Sequence, residues 1–225
     1  MSDYRVLDLF AGFGGFSSAF VESERWHVAT VDVDGRFDPD IHADVFNLWP
    51  SDFSGRAFDV VLAGVPCQFL AMCGNHEKWD HEAKEPTAPE SRAAVALFYH
   101  TLGLIRALNP EFWYIENPRR SRIRWFIGPP DGWVSYCQYG MDYQKQTGLW
   151  GEFAPMLFKQ CSGEGSCHNN NNTEDDGYSA IQSMPSDGAE RAKVPYELSA
   201  AIRDACEAAL DGEAAEQATL GEVEV

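Results

Sequence analysis

The chain has 225 residues and is short of several things. Lysine is scarce, with 5 Lys against 12 Arg, and 17 Lys+Arg face 35 Asp+Glu for a formal charge of −18. No run of about 18 apolar residues occurs, which excludes a long apolar membrane span. Met1–Phe10 lacks the basic, then apolar, then small-residue order of an export signal. The six cysteines at 67, 73, 137, 161, 167 and 206 form no compact disulfide framework and read as thiols of a reducing compartment. No internal repeat is visible, which excludes a solenoid. At first sight the shortage of bases also argues against nucleic acid, because phosphates are usually met by Lys and Arg.

What is there points to a folded protein. Hydrophobic residues make up 44% and aromatics 13%, enough to exclude disorder for most of the chain and to build one core without staples. The expectation is a soluble, cytoplasmic, monomeric protein with no membrane and no obligate protein partner. The charge is uneven: residues 1–60 carry −7, 61–110 carry −1, 111–160 carry +1 and 161–225 carry −11. The one net-positive segment holds Arg119, Arg120, Arg122 and Arg124. An acid-rich, Lys-poor composition on a foldable chain suggests work in concentrated salt, where self-repulsion is screened. An ordinary acidic protein is the alternative.

Residues 4–9 read as a short buried strand running into the glycine turn Ala11–Gly15, with a helix over 16–24. A second strand spans His27–Val33, and a third the β-branched run Phe58–Ala63, bounded by Gly64 and Pro66. Pro89 opens a long helix whose apolar positions Ala94, Val95, Phe98, Leu102, Ile105 and Leu108 keep helical spacing until Asn109-Pro110. Phe112–Ile115 is another strand, ending at Glu116-Asn117-Pro118, and Trp133–Cys137 one more. Periodicity fades over 160–190, and Pro195 opens a last helix with Leu198, Ile202, Ala205, Cys206 and Ala209 on one face. Alternating strands and helices imply an α/β domain with a mostly parallel sheet and helices on both faces, its ligands at the C-terminal strand ends.

Three motifs lie at those strand ends. Asp8-Leu9-Phe10-Ala11-Gly12-Phe13-Gly14-Gly15 joins strand, glycine turn and helix, so that the backbone can approach a ligand closely. Asp32 ends the next strand, where a carboxylate can take both hydroxyls of a ribose, and Asp44 can take an adenine amino group. Both can equally be turn acids. Cys67, in Gly64-Val65-Pro66-Cys67-Gln68, is a thiol displayed on a Pro-containing loop: a nucleophile, or a small buried hydrophobe. Glu116 can hydrogen-bond a heteroaromatic base or share a proton with it; otherwise it is a turn acid.

In that order, these motifs resemble the DNA cytosine-5 methyltransferases, and more narrowly the short type carried by viruses and prophages. The resemblance runs over residues 4–210, through Tyr136–Gly140, Lys145–Thr147, Cys161, Cys167-His168 and Glu190–Leu198. It implies a Rossmann-like class I S-adenosylmethionine-dependent methyltransferase fold, with DNA as partner and a host cytoplasm as setting. Residues 1–150 would form the catalytic and cofactor-binding domain and 151–190 an abbreviated target-recognition region. Residues 191–212 would return to the catalytic domain as a helix, and 213–225 would be an acidic tail.

The resemblance also supplies roles. S-adenosyl-L-methionine would lie across Phe10, Ala11, Gly12, Gly14 and Gly15, with Asp32 on its ribose, Val33 against the adenine, Asp44 at the adenine edge and Pro66 alongside. In a flipped cytosine, Cys67 would add to C6 while Glu116 engages N3 and the exocyclic amine. Gln68, Asn117, Arg119, Arg120 and Lys145 would face the substrate, with Asn117 and Pro118 shaping the loop and Lys145 at the base O2 or a phosphate.

Departures from the pattern are plain. Val65 stands where the family usually has a first proline, and Phe69-Leu70-Ala71 shifts the following aromatic, although Trp79 keeps the viral spacing. Tyr143-Gln144-Lys145 replaces a Gln-x-Arg-x-Arg signature, and the final Gly-Asn motif has no counterpart. Arg119–Arg124 can bind phosphates at the site's mouth or be a solvated helix face. Cys161, Cys167 and His168, with Cys137 as a distant fourth, can be zinc ligands, though the spacing is no standard finger and the leading expectation is no metal. Two readings compete with DNA methylation: a non-catalytic acidic DNA mimic or scaffold, and the same chemistry on RNA or a free cytidine nucleotide.

Overall fold

The computed structural model of the protein describes residues 4–161 and 188–212. Nine strands and five helices follow in chain order among them: β1 (Tyr4–Leu9), α1 (Ser18–Val21), β2 (Trp26–Asp32), β3 (Ile41–His42), β4 (Val60–Gly64), β5 (Trp79–Asp80), β6 (Glu85–Pro86), α2 (Pro89–Leu108), β7 (Phe112–Pro118), α3 (Arg124–Ile127), β8 (Gly132–Ser135), β9 (Gln146–Glu152), α4 (Gly188–Ala192) and α5 (Tyr196–Leu210). Seven strands form one sheet in the order β3-β2-β1-β4-β7-β9-β8. All neighbours are parallel except β9, which runs antiparallel to both β7 and β8. β5 and β6 form a separate small hairpin. This is the Rossmann-like architecture of class I methyltransferases.

The strands alternate between two cores, because successive residues point to opposite faces. Leu7, Leu9, Val31, Val61, Ala63 and Ile115 pack with Phe98, Leu102 and Ile105 of α2. Val6, Val60, Leu62, Tyr114 and Val134 pack with Leu198, Ile202 and Cys206 of α5 on the other side. Both faces are covered, as an open parallel sheet requires. The two cores together fix where the strand ends stand.

α2 has the predicted bounds. Pro89 occupies the first turn, where its missing N–H costs nothing, and Asn109 adopts a left-handed φ of 50° before Pro110. The helix expected over 16–24 is corrected to the single turn Ser18–Val21. Positive φ at Gly12 and Gly14 keeps the preceding segment in turns. Across the α5 face, Ser199 Oγ accepts from Ala19 N (3.1 Å) and donates to Phe16 O (2.7 Å), so α5 supplies partners a longer helix would have found in itself. The strand expected over Trp133–Cys137 ends at Ser135 and gives way to a 3₁₀ turn at Tyr136–Tyr139. β9 was not predicted, and it crosses position 150. Most of the proposed recognition region lies outside the described residues. No helix among the described residues is long and apolar enough to cross a membrane.

Candidate active site

The glycine turn leaves β1 through Phe10, a non-glycine residue at φ 64°. That conformation costs about 1–2 kcal/mol and throws the chain sideways. Ala11 N can then donate to Val31 O at 3.0 Å. Gly12 and Gly14, at φ 51° and 70°, continue the turn, and a side-chain carbon at either would meet only open space. Gly15 differs, since a Cβ there would come within 2.7 Å of Val194 O. The returning C-terminal segment therefore seats directly beneath the turn.

Asp32 is the hub of this half. Its Oδ2 accepts from Gly12 N and its Oδ1 from Asp34 N, both at 2.8 Å. These bonds lock the turn to the end of β2 and leave further lone pairs on both oxygens. Val33 is 64% exposed and Phe13 54%, a largely open apolar surface against which only the Phe37 ring packs among the rings described, edge-on at 4.9 Å from Phe13. Asp44 is exposed and caps the turn Val45–Asn47 by accepting from Phe46 N at 2.9 Å. Asp8 lies under the turn, fully buried. Its Oδ2 accepts from Ser17 Oγ at 2.6 Å, while Oδ1 has no hydrogen-bond partner. Burial, opposed by the Ser17 bonds and reinforced by Asp32, pushes the Asp8 carboxyl up to about 7. A backbone cradle open to space, a carboxylate at the second strand end and a largely open apolar flank fit an adenosine-bearing cofactor.

The other half is built on β4, β7 and β9. Gly64 pairs with Glu116, so the loop leaving β4 starts opposite that carboxyl. Pro66 and Gln68 are exposed, and Cys67 between them is half-buried. Burial holds the Cys67 thiol above its ordinary value and the Glu116 carboxylate raises it further, while the Lys145 ammonium pulls it down. Glu116 is only 6% exposed. Its Oε1 accepts from Tyr136 Oη at 3.2 Å and from Lys145 Nζ at 3.3 Å. Lys145 Nζ also donates to Arg191 O at 3.1 Å and lies 3.4 Å from Tyr136 Oη. Burial, then the Glu116 charge, pushes the Tyr136 phenol well up, so it stays a donor. The result is a half-buried thiol beside a buried, ion-paired carboxylate, facing a cradle for a cofactor across the same sheet edge.

A family model described as C-5 cytosine-specific DNA methylase matches residues 4–121. The chain belongs to this methylase family. The Frog virus 3 (isolate Goorha) protein named "Probable DNA (cytosine-5)-methyltransferase" is 31% identical over 170 residues, covering 73% of this chain and 78% of that protein. The type II methyltransferase M.HaeII of Haemophilus aegyptius is 28% identical over 128 residues, covering 53% of this chain but only 36% of its own length. Among solved structures, the Entamoeba histolytica methyltransferase EhMeth is 12% identical with a TM-score of 0.48, covering 72% of this chain and 58% of that chain. The chain thus spans most of its viral relative and about a third of the bacterial one.

Several expected positions need correction within this methylase frame. Lys145, expected at a base O2 or a phosphate, has its ammonium 3.3 Å from Glu116 Oε1. Asn117 faces no substrate. It is fully buried, and its Nδ2 donates to Val65 O at 2.7 Å, which holds the nucleophile loop. The run Arg119–Arg124 is not one surface. Arg120 and Arg124 are exposed, and Arg119 stacks over the Trp133 ring at 3.7 Å while donating to Gln146 Oε1. Arg122 is fully buried, because its guanidinium caps loop carbonyls. Cys167 and His168 lie outside the described residues; among those described, no group of three His, Cys, Asp or Glu side chains is placed to hold a metal ion.

Three functional side chains escaped the sequence reading: Tyr136, Arg122 and, as a titrating group, Asp8. Asp8 and Tyr136 sat inside recognised motifs without a role, and Arg122 was hidden in a run that reads as surface charge.

Proposed function

We propose that the protein transfers a methyl group to C5 of cytosine in DNA through a covalent bond from Cys67 to C6. The observation that carries this reading is the placing of Cys67 beside the buried Glu116–Lys145 pair, at the same strand edge as the Phe10–Gly15 cradle. Phe10–Gly15, Asp32 and Val33 would hold S-adenosyl-L-methionine, with Asp44 and Pro66 at its margins. When bound, that cofactor supplies an electrophilic methyl group.

The residues account for the rest. A flipped cytosine presents N3 and its amine to Glu116. A proton shared between N3 and Glu116 offsets the carboxylate charge that raises the Cys67 thiol, while the Lys145 ammonium that lowers it remains. The proton that Cys67 gives up is the one that ends between Glu116 and N3, so the thiol ionises as the base is engaged. The thiolate forms the S–C6 bond, the C5=C6 electron pair moves into the ring toward the N3 proton, and C5 becomes nucleophilic. After methylation the C5 proton leaves to water, the C5=C6 bond re-forms and Cys67 departs as the thiolate. Arg119, Arg120 and Arg124 are the nearby cations for backbone phosphates. The acid excess and scarce lysine support operation in concentrated salt, where counterion release adds little to affinity.

The test is transfer of labelled methyl to cytosine-containing duplex DNA over a salt series reaching molar concentration. Duplex carrying 5-fluorocytosine should trap a covalent adduct with the native protein and none with Cys67→Ser. RNA and free cytidine nucleotides serve as competing acceptors. Absence of transfer to every acceptor at every salt would sink the proposal.

A further inference from the structure

Arg122 is a cation in the protein interior, and the Glu77 charge reaches it without forming an ion pair. Its side chain is fully buried, and no Asp or Glu among the described residues forms an ion pair with it. Burying a charge is costly unless other groups replace its hydration. Here they are backbone carbonyls and aromatic faces. Nη1 donates to Ala71 O and Nη2 to Gly74 O at 3.2 Å, while Nε has no partner. The guanidinium carbon lies 4.9 Å from the Trp79 ring centre and 5.7 Å from that of Trp125. Desolvation accordingly lowers its affinity for a proton.

Both carbonyls that Arg122 grips belong to the loop that follows the nucleophile. Its own N–H donates to Leu70 O at 2.7 Å, and Ser121 forms an antiparallel bridge with Ala71. Trp79 closes the loop by donating from Nε1 to Phe69 O at 3.0 Å. On the near side of Cys67, Asn117 Nδ2 holds Val65 O at 2.7 Å. Cys67 is thus bracketed by two ties: Asn117 follows Glu116 on β7, and Arg122 stands four residues past the end of that strand. Apart from the isolated bridge, residues 65–75 have no strand partner. A hydrophobic residue at 122 would leave the Ala71 and Gly74 carbonyls without their donor, whereas a guanidinium can serve both at once.

We propose that Arg122 is a positioning residue that sets Cys67 against Glu116 by clamping the loop after the nucleophile to the segment that leaves the carboxyl-bearing strand. This rests on Cys67 being the nucleophile. A displacement near 1 Å can cost about 100-fold in rate. Arg122→Met should therefore lower kcat by about 10- to 100-fold with cofactor Kd within about twofold of native, because the cradle lies on other strands. Arg122→Lys, able to serve one carbonyl well, should fall between the two.

The deciding measurement is the iodoacetamide alkylation rate of Cys67 in the full chain, resolved from Cys73 by peptide fragmentation. A freed loop should raise that rate severalfold in Arg122→Met and less in Arg122→Lys, with Trp79 and Trp125 fluorescence changing in parallel. If alkylation and kcat stay within twofold of native in both variants, the clamp is refuted. It is also refuted if cofactor affinity falls in step with kcat in the milder Lys variant, since that describes general loss of structure. Alkylation needs no methyl transfer. A native protein that methylates nothing but shows the alkylation pattern would overturn the proposed reaction and leave the clamp standing.

Discussion

The two halves of the crevice are built in opposite ways. On the β1–β2 side the surface is open: Val33 and Phe13 are largely exposed, and the polar groups are largely backbone N–H held by Asp32. On the β4–β7–β9 side the working groups are buried and tied, with Glu116 held by Tyr136 and Lys145 and the Cys67 loop held by Asn117 and Arg122. A cofactor brings its own apolar surface and can complete an open cradle. A nucleophile and its partner acid must already stand in register, because reorganisation during bond formation slows the step. The difference separates binding from chemistry along a single sheet edge.

Glu116→Gln should produce the largest effect. Losing the acid that engages the base should cost about 10³-fold in turnover, within the usual range for acid–base groups. The same change removes the carboxylate that raises the Cys67 thiol, so Cys67 alkylation should shift to lower pH. Slower methyl transfer with an easier thiolate would confirm that the two groups are electrically coupled. An unshifted alkylation profile would break the tightly tied description of this half.

Asp8 tests the open half. Its folded value, about 7 against an ordinary 3.8, is raised, so protonated Asp8 is the form that folding favours. Its contribution is therefore fully present below about pH 4 and lost as pH rises through 7, a swing of about 4 kcal/mol. Asp8→Asn keeps an acceptor for Ser17 Oγ but cannot ionise. Its stability relative to native should climb between about pH 4 and 7 and level off above, less a constant offset of about 1–3 kcal/mol for an unpartnered amide. A pH-independent difference would show that Asp8 is solvated in the free protein.

Much of this was legible in the sequence where local chemistry decides. Pro89 and Asn109 mark the ends of α2 because caps depend on a few neighbouring residues. Asp8–Gly15, Cys67 and Glu116 are readable for the same reason: each sits at a strand-to-loop switch. β9 was hidden by its glycines. Gly151 reads as a breaker, yet a Cβ there would lie 1.9 Å from Trp113 O, so the tight pairing with β7 demands glycine. Of the groups around Arg122 only Trp125 is local. The other aromatic partner of Arg122, Trp79, lies 43 positions away, and only folding brings the two together.

Lys145 sharpens the comparison at a smaller scale. Lys145→Met leaves Glu116 buried without its cation, and breaking such a pair destabilises by about 3–5 kcal/mol. Turnover should fall about 100-fold. The Cys67 alkylation profile should move to higher pH, opposite in sign to Glu116→Gln, because the lost ammonium was lowering the thiol. Lys145→Arg, which keeps the charge, should restore most of the profile. Two shifts of the same sign would refute the base-gated thiol.

Tyr136→Phe should have the smallest effect. The phenol gives one of the two side-chain hydrogen bonds to Glu116 Oε1, and Lys145 remains to hold the carboxyl in place. A hydrogen bond to a charged group contributes about 1.5–3 kcal/mol, and partial compensation by Lys145 leaves about a tenfold loss in kcat. Cofactor Kd should not change, since Tyr136 touches none of the cradle residues. The informative quantity is the double variant with Lys145→Met. If the phenol and the ammonium hold the carboxyl jointly, the combined loss should exceed the product of the single losses, because Glu116 Oε1 then has neither donor. A simple product would mean that each acts alone, and the dense half of the crevice would then be a set of separate contacts.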